Sequence, residues 1–296
     1  MYRITLILFF TLLLSNCSKR SVDPASGEDQ NRLVNKYGTD LTFDLATWNV
    51  EQFPLQDRST VAYLAQMIKD MDLDLIALQE INDTGYFNSL LDSLPDYAGY
   101  ASALPSDFLK LAIIYKKNLV SITTPVQIYT DDWYAFPRPP LVTYVRVKKE
   151  DQTVFDFTLI INHLKAFSGI ENEQRRRDAC EKLNYYISNN VLNSDDRDCI
   201  SLGDFNDQLD DPVVENVFNI FLDDSLNFKF LTESLLGQAS YIGIDNSLID
   251  HVLISSDVNT EYEGGTTEIL YLEKEFDRYT THISDHRPVL SRFPVF

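Results

Sequence analysis

The chain has 296 residues, 44% of them hydrophobic and 12% aromatic, enough for one large domain or two small ones around a sizeable core. Its formal net charge is −20, from 45 Asp and Glu against 25 Lys and Arg. That balance excludes tight, backbone-driven binding to nucleic acid, which needs clustered Lys and Arg. It leaves room for a nuclease whose bound divalent cations offset local carboxylates. It also suits a soluble domain outside the cytoplasm.

At the amino terminus, Arg3 precedes an apolar run from Ile4 to Leu14. The run is too short for a comfortable membrane span and has the length of a signal-peptide core. It ends in Leu14-Ser15-Asn16-Cys17, which resembles a bacterial lipobox. The resemblance implies that residues 1–17 are a lipoprotein signal peptide with Cys17 lipidated, so that the protein is anchored to a membrane without spanning it. A plain signal peptide with an incidental Cys is the alternative. The expected location is extracytoplasmic, in the periplasm or at the cell surface. Residues 18–40 are polar, contain Pro24 and Gly27, and read as a flexible tether.

From Leu41 the texture changes, and residues 41–296 read as one catalytic domain. Leu41 to Val50 predicts a strand carrying Asn49, with Glu51 next. Val61, Leu64, Ala65 and Ile68 recur at helical spacing and predict a helix from Arg58 to Asp70. Leu73 to Leu78 is the next strand, ending in Gln79-Glu80-Ile81. Oxygens of Asn and carboxylates at adjacent strand ends are the ligands a hard cation such as Mg²⁺ takes. For any one of these residues alone, ordinary edge polarity is the better reading. Leu111 to Tyr115 predicts another strand. Phe136-Pro137-Arg138-Pro139-Pro140 holds an Arg rigidly before the strand Leu141 to Val147, either to clamp a phosphate or as a surface turn.

Phe155 to Ile161 is an apolar strand ending in Asn162-His163-Leu164-Lys165. A helix is expected from about Glu171 to Asn189. Its run Gln174-Arg175-Arg176-Arg177 reads as a solvated face, with a substrate-facing role as the alternative. Cys180 and Cys199 read as small buried residues, with a disulfide as the alternative; without a CxxC or Cys/His neighbourhood, no zinc site is expected. Ile200 to Leu202 reads as a buried strand, followed by Gly203-Asp204-Phe205-Asn206-Asp207. A buried strand that delivers carboxylates and a carboxamide at its carboxyl end is where α/β proteins build active sites. The plainer reading is an Asx turn, and Asp207 is kept as a turn residue. Asp210 to Leu236 is acidic and partly helical, without evident chemistry. Asp250 lies inside the apolar strand pattern Ser247 to Ile254, and a buried carboxylate needs a His or Arg partner. Glu261 to Gly265 marks a loop. Asp285-His286 precede the last apolar strand. There is no internal repeat and no second domain boundary.

Six motifs in order are Thr-Trp-Asn-Val-Glu, Leu-Gln-Glu-Ile, Asn-His-Leu-Lys, Leu-Gly-Asp-Phe-Asn-Asp, Ile-Asp-His-Val-Leu and Ser-Asp-His-Arg-Pro-Val. Together they resemble the endonuclease/exonuclease/phosphatase superfamily, the deoxyribonuclease-I-like fold, over about Leu41 to Phe296. The resemblance implies an α/β four-layer sandwich, two packed mixed β-sheets with helices outside. It implies Glu80 as principal metal ligand with Asn49, Glu51 and Asp285 alongside. His163 then contacts the scissile phosphate, Asp204 orients or deprotonates water, and Asn206 binds the phosphate. Asp250 orients His286, and Arg138 is a looser match to a phosphate-facing Arg. Where many relatives carry an Arg and a Tyr, this chain has Phe108-Leu109-Lys110-Leu111.

The expected activity is a metal-dependent phosphoesterase, nuclease-like toward a phosphodiester, with Mg²⁺ as cofactor and Mn²⁺ or Ca²⁺ as substitutes. A hydrolase of a small or lipid phosphoester, of phosphatase or phospholipase type, is the alternative. A non-catalytic surface binding protein is the alternative of another class. The expected partners are a phosphoester substrate, with nucleic acid as a candidate, and the membrane through Cys17. No protein partner is evident and a monomer is expected.

Overall fold

The computed structural model describes residues 32–104 and 108–296. Residues 1–31, and with them the signal peptide, Cys17 and most of the tether, lie outside the described residues. Among the described residues, no helix is long and apolar enough to cross a membrane.

The chain runs β1 (Phe43–Phe53), α1 (Asp57–Met71), β2 (Leu75–Ile81), α2 (Thr84–Asp92), β3 (Tyr97–Ala101), β4 (Lys110–Lys116), β5 (Val120–Ile122) and β6 (Val126–Gln127). It continues through β7 (Leu141–Lys149), β8 (Gln152–His163), α3 (Ile170–Tyr186), β9 (Cys199–Asp204), β10 (Phe228–Phe230), β11 (Asp250–Ser255), β12 (Thr266–Ile269) and β13 (Val289–Phe293). One sheet has the order β12-β13-β1-β2-β4-β3. The other has the order β10-β11-β9-β8-β7-β5, with β6 also paired to β7. Both are mixed: β1 and β2 are parallel, as are β8 and β9, while their other neighbours are antiparallel.

Period-two alternation explains the layering. Along β1, Phe43 and Leu45 point to the cluster between the sheets, whereas Ala46, Trp48 and Val50 point outward. Along β2, Leu75 and Ala77 face inward, and Ile76 and Leu78 face outward. The outward residues of the first sheet pack on Leu64, Ile68 and Met71 of α1 and on Phe87 and Leu90 of α2. Beyond the second sheet, Ile160, Cys199 and Leu253 pack on Ala179, Cys180 and Leu183 of α3. Three buried clusters therefore fill the three interfaces of a four-layer α/β sandwich. Burying one such Leu or Phe side chain contributes roughly 1.5–3 kcal/mol.

The elements differ from expectation in three places. The tether ends earlier than residue 40. Leu33 donates its N–H to the Asp70 carboxylate at 2.6 Å, Val34 is buried, and the N–H groups of Tyr37 and Gly38 bond Met71 O at 3.0 and 2.8 Å. The acidic excursion after Asp210 contains the strand β10, whose Phe228 and Phe230 enter the outer core. The loop at Gly264 leads into the edge strand β12. Cys180 and Cys199 are both buried and free.

Candidate active site

Strand pairing assembles the site. The parallel pair β8–β9 sets His163 opposite Asp204, and the antiparallel pair β9–β11 sets Asp204 opposite Asp250. One row of the second sheet thus carries an imidazole and two carboxylates. In the first sheet Asn49 lies beside Gln79, and the pairing slips between Asn49 and Phe53 and between Leu78 and Ile81. Such bulges re-aim side chains. Here they leave Glu51 and Glu80 in the left-handed region, at φ 36° and 69°. Asn49 joins the sheets, because its Nδ2 donates to Glu80 Oε1 at 3.2 Å and to Asp204 Oδ2 at 3.0 Å.

Gly203 lets the end of β9 pass close against β8. Its φ is +140°, and a Cβ there would sit 2.0 Å from the Asn162 carbonyl oxygen. The turn reading of the following residues also holds: Asp204 Oδ1 accepts the Asn206 N–H at 2.9 Å, and Asn206 takes φ 55°. One oxygen of Asp204 makes the turn and the other faces the site.

The two site histidines sit on either side of Asp204. His163 Nε2 lies 3.5 Å from Asp204 Oδ2 and 3.8 Å from Glu80 Oε1. Burial lowers its pKa well below the usual value, helped by the Arg138 and His286 charges, so it is neutral at pH 7. Its buried Nδ1 has no partner. His286 Nε2 lies 3.8 Å from Asp204 Oδ2, and its Nδ1 bonds Asp250 Oδ2 at 2.8 Å. Burial pulls the His286 pKa down, but the Asp250, Asp204 and Asp285 carboxylates outweigh it and raise it to about 10. Burial raises the Asp204 pKa to about 7; Asp250 adds to this, while His286, Asn49 and the Asn206 N–H oppose it. His251, next to Asp250, is structural: Thr232 and the Asp207 carbonyl take its two nitrogens.

Three carboxylates converge beside this row. Glu51 Oε2 accepts the Asp285 N–H at 2.9 Å. Burial raises the Glu51 pKa to about 7, and Asp285 and Glu80 push the same way. Burial also raises Asp285, with Glu80 and Asp250 contributing. Among the described residues, no Lys or Arg ion pair reaches Glu51, Glu80 or Asp285. An all-oxygen set of three carboxylates, with His286 as its one nearby cation, carries excess negative charge and fits a hard divalent cation. Asn49 fits less directly, since its Oδ1 already accepts the Glu51 N–H at 3.0 Å and its amide ties Glu80 to Asp204. Ligand atoms of Asp204, Asp250 and His286 also lie within 4.8 Å of one another. In that trio Asp250 Oδ2 already takes His286 Nδ1, so it orients an imidazole and makes a poorer metal cage.

These groups open into a cleft of about 700 Å³. Glu51, Glu80, His163, Asp204, Asn206, Asp285 and His286 all line it. Arg138 does not. It is buried behind the site, with Nη2 bonded to Leu164 O at 2.7 Å and Nε without a partner. The Pro-flanked loop thus turns the guanidinium inward rather than to the surface, near Asp204 and Glu80, where its charge helps keep His163 neutral.

Three features have no clear signal in the sequence. Tyr241 packs its ring 5.1 Å from that of His286 and lines the cleft. Ser284 Oγ bonds Asn49 O at 2.7 Å and accepts the His286 N–H at 2.8 Å, fixing the closing turn to β1. The basic run on α3 is not a solvated face. Arg176 is buried and pairs with Asp207 at 2.7 Å, while Arg175 and Arg177 bond backbone carbonyls of neighbouring loops. Asp207 is therefore a buried ion-pair partner as well as a turn residue.

The Endonuclease/Exonuclease/phosphatase family matches residues 46–286. The chain belongs to this family. No curated protein matches it in sequence. Among solved structures of the same fold is D. rerio TDP2 complexed with single strand DNA product, with TM-score 0.62, 16% identity, and coverage of 86% of this chain and 99% of that one. The human Nocturnin catalytic domain with bound sulfate anion has TM-score 0.61, 17% identity and coverage of 85% and 94%. The Bacteroides thetaiotaomicron mannosyl-6-phosphatase has TM-score 0.60, 15% identity and coverage of 84% and 98%. The family's deoxyribonuclease-I-like architecture is the four-layer sandwich described above.

Proposed function

We propose that this family member hydrolyses a phosphoester by in-line attack of water, using Mg²⁺ held by Glu51, Glu80 and Asp285, with Mn²⁺ or Ca²⁺ as substitutes. The observation that carries this reading is Asp204 between two imidazoles, its Oδ2 3.5 Å from His163 Nε2 and 3.8 Å from His286 Nε2. Asp204, with a pKa near neutrality, orients the water and accepts its proton. His286, held as imidazolium by Asp250, offers its Nε2–H to the phosphoryl oxygens, where charge accumulates. His163, neutral, offers a second donor whose geometry β8 fixes. Asn206, which lines the cleft at the turn after β9, would bind the phosphate. The cation supplies positive charge that neutralises the phosphoryl group. Retention of the whole residue set weighs against a non-catalytic surface binding protein.

For the substrate, the cleft lining favours a compact phosphoester. Nine Asp and Glu line it against one Arg, and that Arg is tied to Asp207. A long polyanion would be repelled on approach. The nuclease-like phosphodiesterase is the second reading, favoured by the fold shared with TDP2 and its DNA product. A panel of an aryl phosphodiester, DNA, RNA, sugar and inositol phosphates and sphingomyelin, each with and without Mg²⁺, tests both. Hydrolysis that EDTA abolishes is expected; inertness with Mg²⁺, Mn²⁺ and Ca²⁺ on every ester would sink the proposal. The proposed extracytoplasmic lipoprotein location is separately tested by Cys17→Ser, which should release the protein from the membrane fraction.

A further inference from the structure

Five exposed apolar side chains surround the mouth of the cleft. Phe167 is 79% exposed and Ile244 fully so, and both line it. Ile170 sits between the lining residues Ser168 and Glu173, and Val213 and Val214 between the lining residues Asp211 and Glu215; these three are 77–88% exposed. The described residues hold fourteen large exposed apolar side chains, so more than a third of them lie in the three short segments that contribute to this cleft's lining. They come from three separate connections: after β8, after β9 and before β11. Because β8 and β11 flank β9 in the sheet, these loops surround the Asp204 end of β9.

Each loop is fixed at its base and apolar at its tip. Arg176, buried, donates to the Lys165 and Phe167 carbonyls at 2.9 and 2.8 Å. Phe167 itself holds φ +75°, a region that disfavours every residue with a Cβ. Arg177 donates to the Glu215 and Asn216 carbonyls, both at 3.0 Å. The N–H groups of Ser240 and Tyr241 bond Ser247 O, and Ile242 N–H bonds Asp285 O. The arginine run on α3 thus braces two of the three loops. Rigid loops that hold apolar tips in water need something to bury them.

We propose that this rim docks on a zwitterionic lipid surface, and that the phosphoester entering the cleft belongs to a lipid headgroup. The substrate assignment rests on the phosphoesterase reading; the docking does not. A macromolecule covering the rim covers the mouth of this cleft, so the covering surface must itself present the ester. The carboxylates among the apolar tips, including Glu173, Glu215 and Asp245, and the net charge of −20 reject anionic lipid and nucleic acid. Apolar tips of this size enter the headgroup boundary of a bilayer without spanning it.

The test is hydrogen exchange on the full chain with and without phosphatidylcholine vesicles. The apolar stretch before Cys17 can hold the chain on vesicles by itself, so the place of protection is the readout. Exchange should slow by about tenfold or more in segments 166–171, 212–216 and 242–246. The variant Ile170→Ser, Val213→Ser, Val214→Ser changes no residue lining the cleft. It should lose that protection and keep its turnover of a soluble aryl phosphodiester. Unprotected segments, equal protection in the variant, or protection that arises without lipid from self-association would each overturn the docking. If docking stands and no phosphoester is cleaved, the phosphoesterase reading fails and the docking site survives. If docking stands and soluble esters are cleaved while phosphatidylcholine and sphingomyelin are not, the lipid substrate is overturned.

Discussion

Asp250→Asn isolates the electrostatic part of the site with little change of shape. Asp250 is fully buried in β11, faces Asp204 across the ladder, and holds His286 Nδ1 at 2.8 Å. An Asn keeps the volume and can still accept from Nδ1–H. It removes the largest of the charges that favour imidazolium. Raising the His286 pKa from 6.5 to about 10 corresponds to roughly 4–5 kcal/mol in favour of the cation. Asp250 shares that effect with Asp204 and Asp285. If about half is Asp250's, the loss is about 2 kcal/mol, or some thirtyfold. The weakened donor should therefore lower kcat by about tenfold to a hundredfold. KM should change little, since the donor acts on charge that develops during reaction. The fold should survive, because a like-charge pair opposite Asp204 is relieved. Steady-state kinetics on an aryl phosphodiester with Mg²⁺, paired with a thermal melt, provide the measurement. A folded variant within about threefold of the wild-type kcat would refute the role given to His286.

Other expectations concern the scaffold. Gly203→Ala places a Cβ 2.0 Å from a backbone oxygen at φ +140° and should destabilise by roughly 2–6 kcal/mol, read as a lower midpoint in urea. Arg176→Ala strands a buried Asp207 and frees the Phe167 loop; it should cost about 3–5 kcal/mol in the same assay. Asp198, half-buried, has its pKa raised to about 7 by burial first and then by Glu261, Asp196, Asp257 and Asp156. A carboxyl raised in the native state costs stability as pH climbs from its unfolded value through its folded one, so the penalty is absent at pH 3.5 and complete above pH 7. Screening of this partly exposed group limits it to about 1–2 kcal/mol. Asp198→Asn should therefore raise the melting temperature at pH 8 and leave it unchanged near pH 3.5.

The strand ends that make the site are legible in the sequence because each motif is local. An apolar run that stops at Asn49, Glu80, His163 or Asp204 marks a buried strand emerging at one edge. Asp250 is legible for a different reason: a carboxylate inside an apolar strand demands a partner, and His286 is that partner. What the sequence hides is where long side chains go once layers pack. Arg138 looks exposed between prolines, yet packing turns it behind His163. The α3 arginines look solvated because a charge run usually is, but six loop carbonyl oxygens and Asp207 lie against that face. Tyr241 sits in a polar loop with no periodic neighbour, and long-range backbone pairing with the His286 turn brings it to the site. The edge strand β12 is short and mixed in polarity, so neither period marks it.

The central claim is that Asp204, flanked by His163 and His286, performs phosphoester hydrolysis. The most direct measurement compares wild type, His163→Ala and Asp204→Ala on one aryl phosphodiester with Mg²⁺, each variant first shown to be folded by its thermal melt. The account predicts that kcat/KM falls by about 10³-fold or more in both variants. Folded variants that retain wild-type turnover would contradict it.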